Sequence, residues 1–155
     1  MGIEIRPIDE DEFKKIRSIL IDIYLDGYMG LSKYAYTRIR DIKRYLKWLY
    51  KTDPSSFFVG FVSEEPQGFV AGQKNYFDKN FGEINEIHEF VVRKTKKHTP
   101  LTHMLMNKIL EHFKGKKVGL WVGEHNDRAY NFYKKFGFKE KLKEGIWIRM
   151  LREEN

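Results

Sequence analysis

Several groups able to move a proton lie close together on one predicted strand. Glu83 to Val92 reads EINEIHEFVV and carries Glu83, Glu86, His88 and Glu89. These are three carboxylates and an imidazole, side chains that serve as general bases and acids. Strand alternation puts Glu86 and His88 on one face and Glu89 on the other, so Glu86 and Glu89 share a face only if a bulge lies between them. Each carboxylate also fits a solvated or ion-paired strand position. Other chemistries have less support. The chain has no cysteine, which excludes disulfides, thiolate metal sites and a covalent cysteine intermediate. His88, His98, His103, His112 and His125 show no metal-ligand spacing, and no metal site is expected. No serine nucleophile elbow is present.

The stretch Glu124 to Phe138 (EHNDRAYNFYKKFGF) is the most informative in the chain. The strand-like VGLWV precedes it, apolar and partly β-branched. Asn126 or Asp127 offers a helix N-cap. Ala129, Phe132, Tyr133 and Phe136 follow at helical spacing. Gly137 supplies a left-handed stop, and Phe138 opens another extended segment. Read from periodicity alone, this is a strand–helix–strand unit with an aromatic core stripe. The order Asn-x-x-Ala-x-x-Phe-Tyr-x-Lys-x-Gly-Phe, carried by Asn126, Ala129, Phe132, Tyr133, Lys135, Gly137 and Phe138, also resembles the C-terminal signature of the GNAT-type N-acetyltransferases.

The elements upstream follow the same resemblance. Ile3 to Ile8 alternates as a first strand. Asp9 caps a helix running to about Tyr24, with Glu12 three residues on in an Asp-led capping box. Gly27 to Gly30 breaks it. A second helix is expected from Ser32, with Ile39, Ile42, Leu46 and Leu49 as its apolar stripe, and Asp53-Pro54 ends it. Arg38, Arg40, Lys43, Arg44, Lys47 and Lys51 load its other faces. Strands are predicted over Phe57–Val62, Phe69–Phe77 and Glu83–Val92, joined by turn clusters at 64–68 and 78–82. Thr99 caps a third helix with Pro100 at its first position. Ile146 to Leu151 is a last strand, able to pair across a dimer. The order matches the GNAT arrangement over essentially the whole chain. The expected fold class is therefore α/β (α+β), a single domain over residues 1–155 with a mixed, largely antiparallel six- to seven-stranded sheet flanked by helices.

The resemblance implies acetyl-coenzyme A as acyl donor substrate, bound at a loop of pattern Gln/Arg-x-x-Gly-x-Gly/Ala. Lys97 aligns with the first position, and Pro100 and Thr102 stand where the glycines would be. Glycine admits positive φ and close approach of backbone to phosphate, whereas Pro100 has no amide to donate. Lys96, Lys97 and His98 add charge in compensation, and the hydroxyls of Thr99 and Thr102 can donate. The residues implied to hold the cofactor are Phe90, Val91, Val92, Lys97, His98, Thr99, Leu101, Thr102, Asn126 and Tyr133. A backbone amide near Phe90 to Val92 would face the oxyanion. Tyr133 takes the place of the general acid, or is a core aromatic, and Asn126 would hydrogen-bond the pantetheine arm, or cap its helix. Glu86 is preferred over Glu89 as base from its distance to the loop, with His88 a weaker alternative. The two N-terminal helices and their loop would wall the acceptor groove, making Tyr24, Tyr28, Met29, Tyr34 and Tyr36 candidate contacts.

The net charge of +7, with pI near 9.4, favours anionic partners. Coenzyme A, nucleic acid and acidic protein surfaces all qualify, and the basic second helix is either a solvated helix or a polyanion-binding element. The expected activity is acetyl transfer to a primary amine by direct attack in a ternary complex. The alternatives are a non-catalytic GNAT-like binding module and a basic nucleic-acid-binding protein. A protein N-terminus, a lysine side chain, a polyamine and an aminoglycoside are all open as acceptors, and the chain is a monomer or a homodimer. No apolar run is long enough for a membrane span, and the N-terminus lacks a signal-peptide stretch and a myristoylation pattern, so a cytoplasmic location is expected. Abundant Lys and Glu with no Cys and only two Gln point to a thermophilic source.

Overall fold

The computed structural model describes residues 2–153. Met1, which with Gly2 would begin a myristoylation signal, lies outside them. The chain runs β1 (Ile3–Pro7), α1 (Glu10–Gly27), α2 (Ile39–Thr52), β2 (Phe57–Val62), β3 (Glu65–Asp78), β4 (Gly82–Val92), α3 (Pro100–His112), β5 (Val118–Gly123), α4 (Asp127–Lys135), β6 (Lys139–Glu144) and β7 (Trp147–Arg152). The strands form one seven-stranded sheet in the order β1-β2-β3-β4-β5-β7-β6. Every neighbouring pair is antiparallel except β4–β5.

Each face of the sheet is covered by two helices. Phe13, Leu20, Ile23, Leu46 and Leu49 of α1 and α2 pack with Phe57 and Phe69 on one side. Leu101, Leu105 and Ile109 of α3, with Tyr133 of α4, pack with Leu120, Val122 and Met150 on the other. The helical stripes read from sequence are the faces that bury, except at Ile39, the first residue of α2, which is 62% exposed. Asp9 Oδ1 accepts the Glu12 amide at 2.8 Å, a cap contributing about 1 kcal/mol. Glu12 does not complete the box, because its carboxylate turns to Arg6 with contacts of 2.7 Å.

Several boundaries differ from expectation. The β2–β3 turn is tighter than the 64–68 cluster implied. Ser63 and Glu64 both have positive φ (49° and 69°), a two-residue hairpin of the twist-matched kind. Pro66 then sits in β3 beyond the reach of β4, whose pairing stops at Gly68–Val92, so its missing amide breaks no ladder bond on that side. Ser32 opens only a short 3-10 turn, and α2 begins at Ile39. The intervening chain is held out of helix by tertiary bonds. The Tyr36 amide donates to Tyr24 Oη (3.0 Å), and Tyr34 Oη accepts from the His125 amide (3.1 Å). β7 is not an edge, since β5 and β6 flank it, so it cannot pair with a second copy. The edge on that side of the sheet is β6, whose KEKLKE sequence blunts strand addition with charge.

Candidate active site

Two irregularities of the sheet create the site. Pairing of β3 with β4 passes from Ala71–Glu89 to Gly72–Ile87, which leaves His88 as the extra residue of a bulge. Ile87 faces the α3 side, packed among Leu105, Ile109 and Phe113. Glu86 and Glu89 both face the α1–α2 side, where their partners lie. The second irregularity is a splay. β4 and β5 pair only at Asn85–Val118 and Glu86–Gly119. Beyond that point the β4 edge, from Ile87 to Val92, is not paired with β5.

The shared face does not make the two carboxylates equivalent. Glu86 is 2% exposed and lies in a bidentate pair with Arg149 of β7, both contacts 2.7 Å. Arg149 is fully buried, also bonds Asp78 at 2.7 Å, and lies 5.1 Å from the Trp121 ring centroid. Burial works to lower the Arg149 pKa, but the paired carboxylates outweigh it and hold the guanidinium charged. Gly119 makes the room, since a Cβ there would lie 2.7 Å from Arg149 and 2.9 Å from Glu86. This arrangement argues against the expected preference for Glu86 as base, because both of its oxygens are engaged by a cation. Glu83 is on the surface, ion-paired with Lys116.

Glu89 has no cationic partner among the described residues. It is 7% exposed and accepts hydrogen bonds from Tyr28 Oη and, at 2.8 Å, from Tyr45 Oη. Burial raises its pKa above the ordinary carboxylate range, and the two tyrosine donors only partly offset that. His88 is the poorer base. Burial first, then the Arg149 charge, lowers it to about 4. It sits between the rings of Trp48 and Tyr76, with Nε2 2.9 Å from Gln73 Oε1.

Two cavities meet at the splay. One, about 570 Å³, lies on the α1–α2 side, with Glu89 inside walls that include Tyr24, Tyr36, Tyr45, Trp121 and Trp147. The other, about 370 Å³, runs toward α3 and α4 past Val92, Lys97, His98, Thr102, Asn126 and Arg128. Tyr28, Tyr34, Phe90, Tyr133, Trp121 and Trp147 line both. The Tyr133 hydroxyl has no hydrogen-bond partner among the described residues. Its pKa is raised by burial and then by the charge of Glu89, so it stays protonated. Asn126 occupies the N-cap position of α4 without a side-chain cap bond and lines the second cavity. Met29 is solvent-exposed and lines neither cavity.

The loop before α3 solves its lack of glycine differently than residue types implied. His98 takes the positive φ, at 68°. Pro100 is the first residue of α3, where no amide is needed. The hydroxyls expected to compensate are already committed, Thr99 Oγ1 to the Lys96 carbonyl and Thr102 Oγ1 to that of Thr99 (2.8 Å). Thr99 lines neither cavity, and the Leu101 side chain is core. What remains is the helix N-terminus with Lys97, His98 and Arg128 beside it. Lys97 Nζ donates to the Gly27 carbonyl at 2.8 Å, and the Lys94 amide to Asp26 at 2.6 Å. These tie the loop to the end of α1. Gly27 permits this approach, because a Cβ there would lie 2.7 Å from the Val92 carbonyl oxygen.

Tyr45, Trp121, Trp147 and Arg149 were not singled out from sequence. Arg149 carried a signal, a lone charge inside the apolar run IWIRML. Tyr45 carried none beyond its place beside the α2 stripe.

Residues 13–138 match the sequence profile of the Acetyltransferase (GNAT) family. Over 136 residues the chain is 38% identical to an uncharacterized N-acetyltransferase of Methanocaldococcus jannaschii, covering 85% of this chain and 60% of that one. The chain thus spans less than two thirds of that relative. Over 135 residues it is 38% identical to an uncharacterized N-acetyltransferase of Archaeoglobus fulgidus, covering 84% of this chain and 89% of that one. The crystal structure of PH1933 from Pyrococcus horikoshii superposes with a TM-score of 0.90 at 36% identity, covering 99% of each chain. The two N-acetyltransferase relatives come from thermophilic archaea, in keeping with the Lys- and Glu-rich, cysteine-free composition.

Proposed function

This chain belongs to the acetyltransferase (GNAT) family, and on that premise we propose that it moves an acetyl group from acetyl-coenzyme A to a primary amine by direct attack. The observation that carries the reading is the meeting of two cavities across the β4–β5 splay, with Glu89 on one side and Tyr133 lining both. A donor and an acceptor entering from opposite sides of the sheet are brought together there, which converts a bimolecular encounter into an intramolecular one.

The donor side fits an anionic, amide-bearing substrate. The N-terminus of α3 presents first-turn amides and the positive end of its dipole to the pyrophosphate, with Lys97 and Arg128 adding charge and the His98 ring beside them. Asn126 offers its free side-chain amide to the pantetheine arm. The unpaired β4 edge at Phe90 to Val92 offers backbone groups to the arm and to the thioester oxygen. On the acceptor side Glu89 takes the proton of the incoming ammonium. The amine nitrogen then bonds to the thioester carbonyl carbon, the carbon–sulfur bond breaks, and Tyr133 gives its proton to the departing sulfur. Free thiol and amide result, with the ammonium's first proton left on Glu89 and the second, shed by the nitrogen as the amide forms, passing through water to restore Tyr133. We place this reaction in the cytoplasm.

Two experiments test the reading. Calorimetric titration of acetyl-coenzyme A into the purified protein should show binding in the micromolar range. Pro100→Gly should tighten it by no more than about tenfold, the worth of one added amide hydrogen bond. Heat only from Pro100→Gly would mean that the loop no longer holds pyrophosphate and that the chain is a binding module. Tyr133→Phe should lower turnover roughly 10²-fold with acetyl-coenzyme A affinity changed less than about threefold. An unchanged rate would remove Tyr133 from the proton-donor role.

A further inference from the structure

The outer face of α2 is not explained by acetyl transfer alone. Arg40, Arg44, Lys47 and Lys51 recur at helical spacing and form one stripe. All four are exposed, as are Arg38 and Lys43. Among the described residues the only ion pair of these cations is the 3.7 Å contact of Arg40 with Asp41. A stripe of uncompensated like charge costs the folded state self-repulsion, which an anionic partner would relieve.

The stripe adjoins the acceptor cavity. Trp48 lies between the two, 49% exposed. Its ring stacks on Tyr45 (centroids 6.2 Å apart) and meets His88 edge-on at 4.9 Å. Tyr45 and His88 line the cavity that holds Glu89. On the cavity's other rim Lys33 lies 5.3 Å from the Tyr34 ring centroid. Glu144 also reaches that rim but is paired with Lys79 at 3.3 Å. The entrance is therefore cationic while the one buried carboxylate is at its base. Such a field disfavours a small polycation, which would meet the stripe before the carboxylate. It favours a chain whose amine enters the cavity and whose flanking residues are acidic.

We infer that the outer face of α2 docks an acidic segment of a polypeptide, and that the acceptor amine is carried on that polypeptide. The inference rests on the transferase reading for the amine's destination, but not for the docking itself. Arg40 to Lys51 spans about 16 Å of helix, the length of roughly five extended residues. The partner is thus a short acidic stretch, with Trp48 as an apolar contact between it and the cavity mouth.

The test is fluorescence anisotropy with a labelled free-amine peptide, Ala-Ser followed by alternating Glu and Gly. The acetyl-coenzyme A-loaded protein is compared with Arg44→Gln/Lys47→Gln/Lys51→Gln. The same peptide with Gln for Glu, and single-stranded oligouridylate, are the companion probes. A variant of equal charge change elsewhere, Lys114→Gln/Lys139→Gln/Lys141→Gln, is the control. The acidic peptide should bind the stripe variant roughly tenfold more weakly than the native or control protein, and added salt should weaken native binding. Equal affinity for the Glu and Gln peptides, or an equal loss in the control variant, overturns the docking surface. Tighter binding of oligouridylate, lost with the same stripe, assigns the face to nucleic acid instead. Acetylation of the same peptides is read separately. Stripe-dependent binding with no transfer to any amine would sink the transferase reading and leave the docking face standing. Efficient transfer with no stripe dependence would do the reverse.

Discussion

Glu89→Gln is expected to lower kcat/KM by roughly 10²–10⁴-fold, the range for loss of a positioned base, without weakening acetyl-coenzyme A binding. Glutamine keeps the shape and can still bond both tyrosine hydroxyls, but it cannot take a proton. The pH profile makes the assignment specific. Burial raises the Glu89 pKa, and the base works only when ionised. The rate should therefore climb with pH through a midpoint above the ordinary carboxylate range, and that limb should vanish in the variant. Stability gives the opposite sign. A carboxyl whose folded pKa is raised loses its contribution as pH rises through that value. Glu89→Gln should thus melt no lower than the native protein at neutral pH, which separates lost chemistry from lost fold. A variant that keeps full activity would move the base elsewhere, with His88 the next group to test.

Arg149→Met is expected to be the most damaging single change to the fold. It leaves Glu86 and Asp78, both buried, without the guanidinium that compensates them. Breaking a buried pair by removing one partner costs about 3–5 kcal/mol, which for a chain of this size lowers Tm by roughly 10 °C or more. Adding Glu86→Gln to Arg149→Met should recover part of the loss, because the residual cost is mostly an uncompensated charge. Thermal melts of the three proteins decide it. A loss below about 1 kcal/mol would mean that water enters and solvates the carboxylates. Since Arg149 also lies over the Trp121 ring, the single variant should lose acceptor turnover at temperatures where it remains folded.

Much of the architecture was legible in the chain because its determinants are local. Leu46 and Leu49, or Leu101 and Leu105, show a helical face by spacing alone, and each of these residues is buried. Asp9 and Gly137 end their elements through bonds and torsions within a few residues, the Gly137 φ of 92° being the left-handed stop its type implied. The aromatic pattern after Asn126 likewise brought the family into view before any contact was known.

The candidate site was less legible. Alternation along Glu83 to Val92 is a local rule, and it correctly made a shared face for Glu86 and Glu89 conditional on a bulge. Where that bulge falls depends on how β3 and β4 settle into register. Which carboxylate stays free depends on Arg149, 63 residues beyond Glu86, and on Tyr28 and Tyr45, 61 and 44 residues before Glu89. The same holds for the 32–38 segment, kept out of helix by Tyr24 and by the backbone at His125, and for the threonine hydroxyls, which found nearby carbonyls before any ligand. By itself the sequence determined the order of elements, their buried faces and the kind of chemistry available. The tertiary structure alone decided which acid is free of a cation and which is one half of an ion pair. A carboxylate's role is set by the solvent it loses and the partners it gains, and both come from segments that only folding brings together.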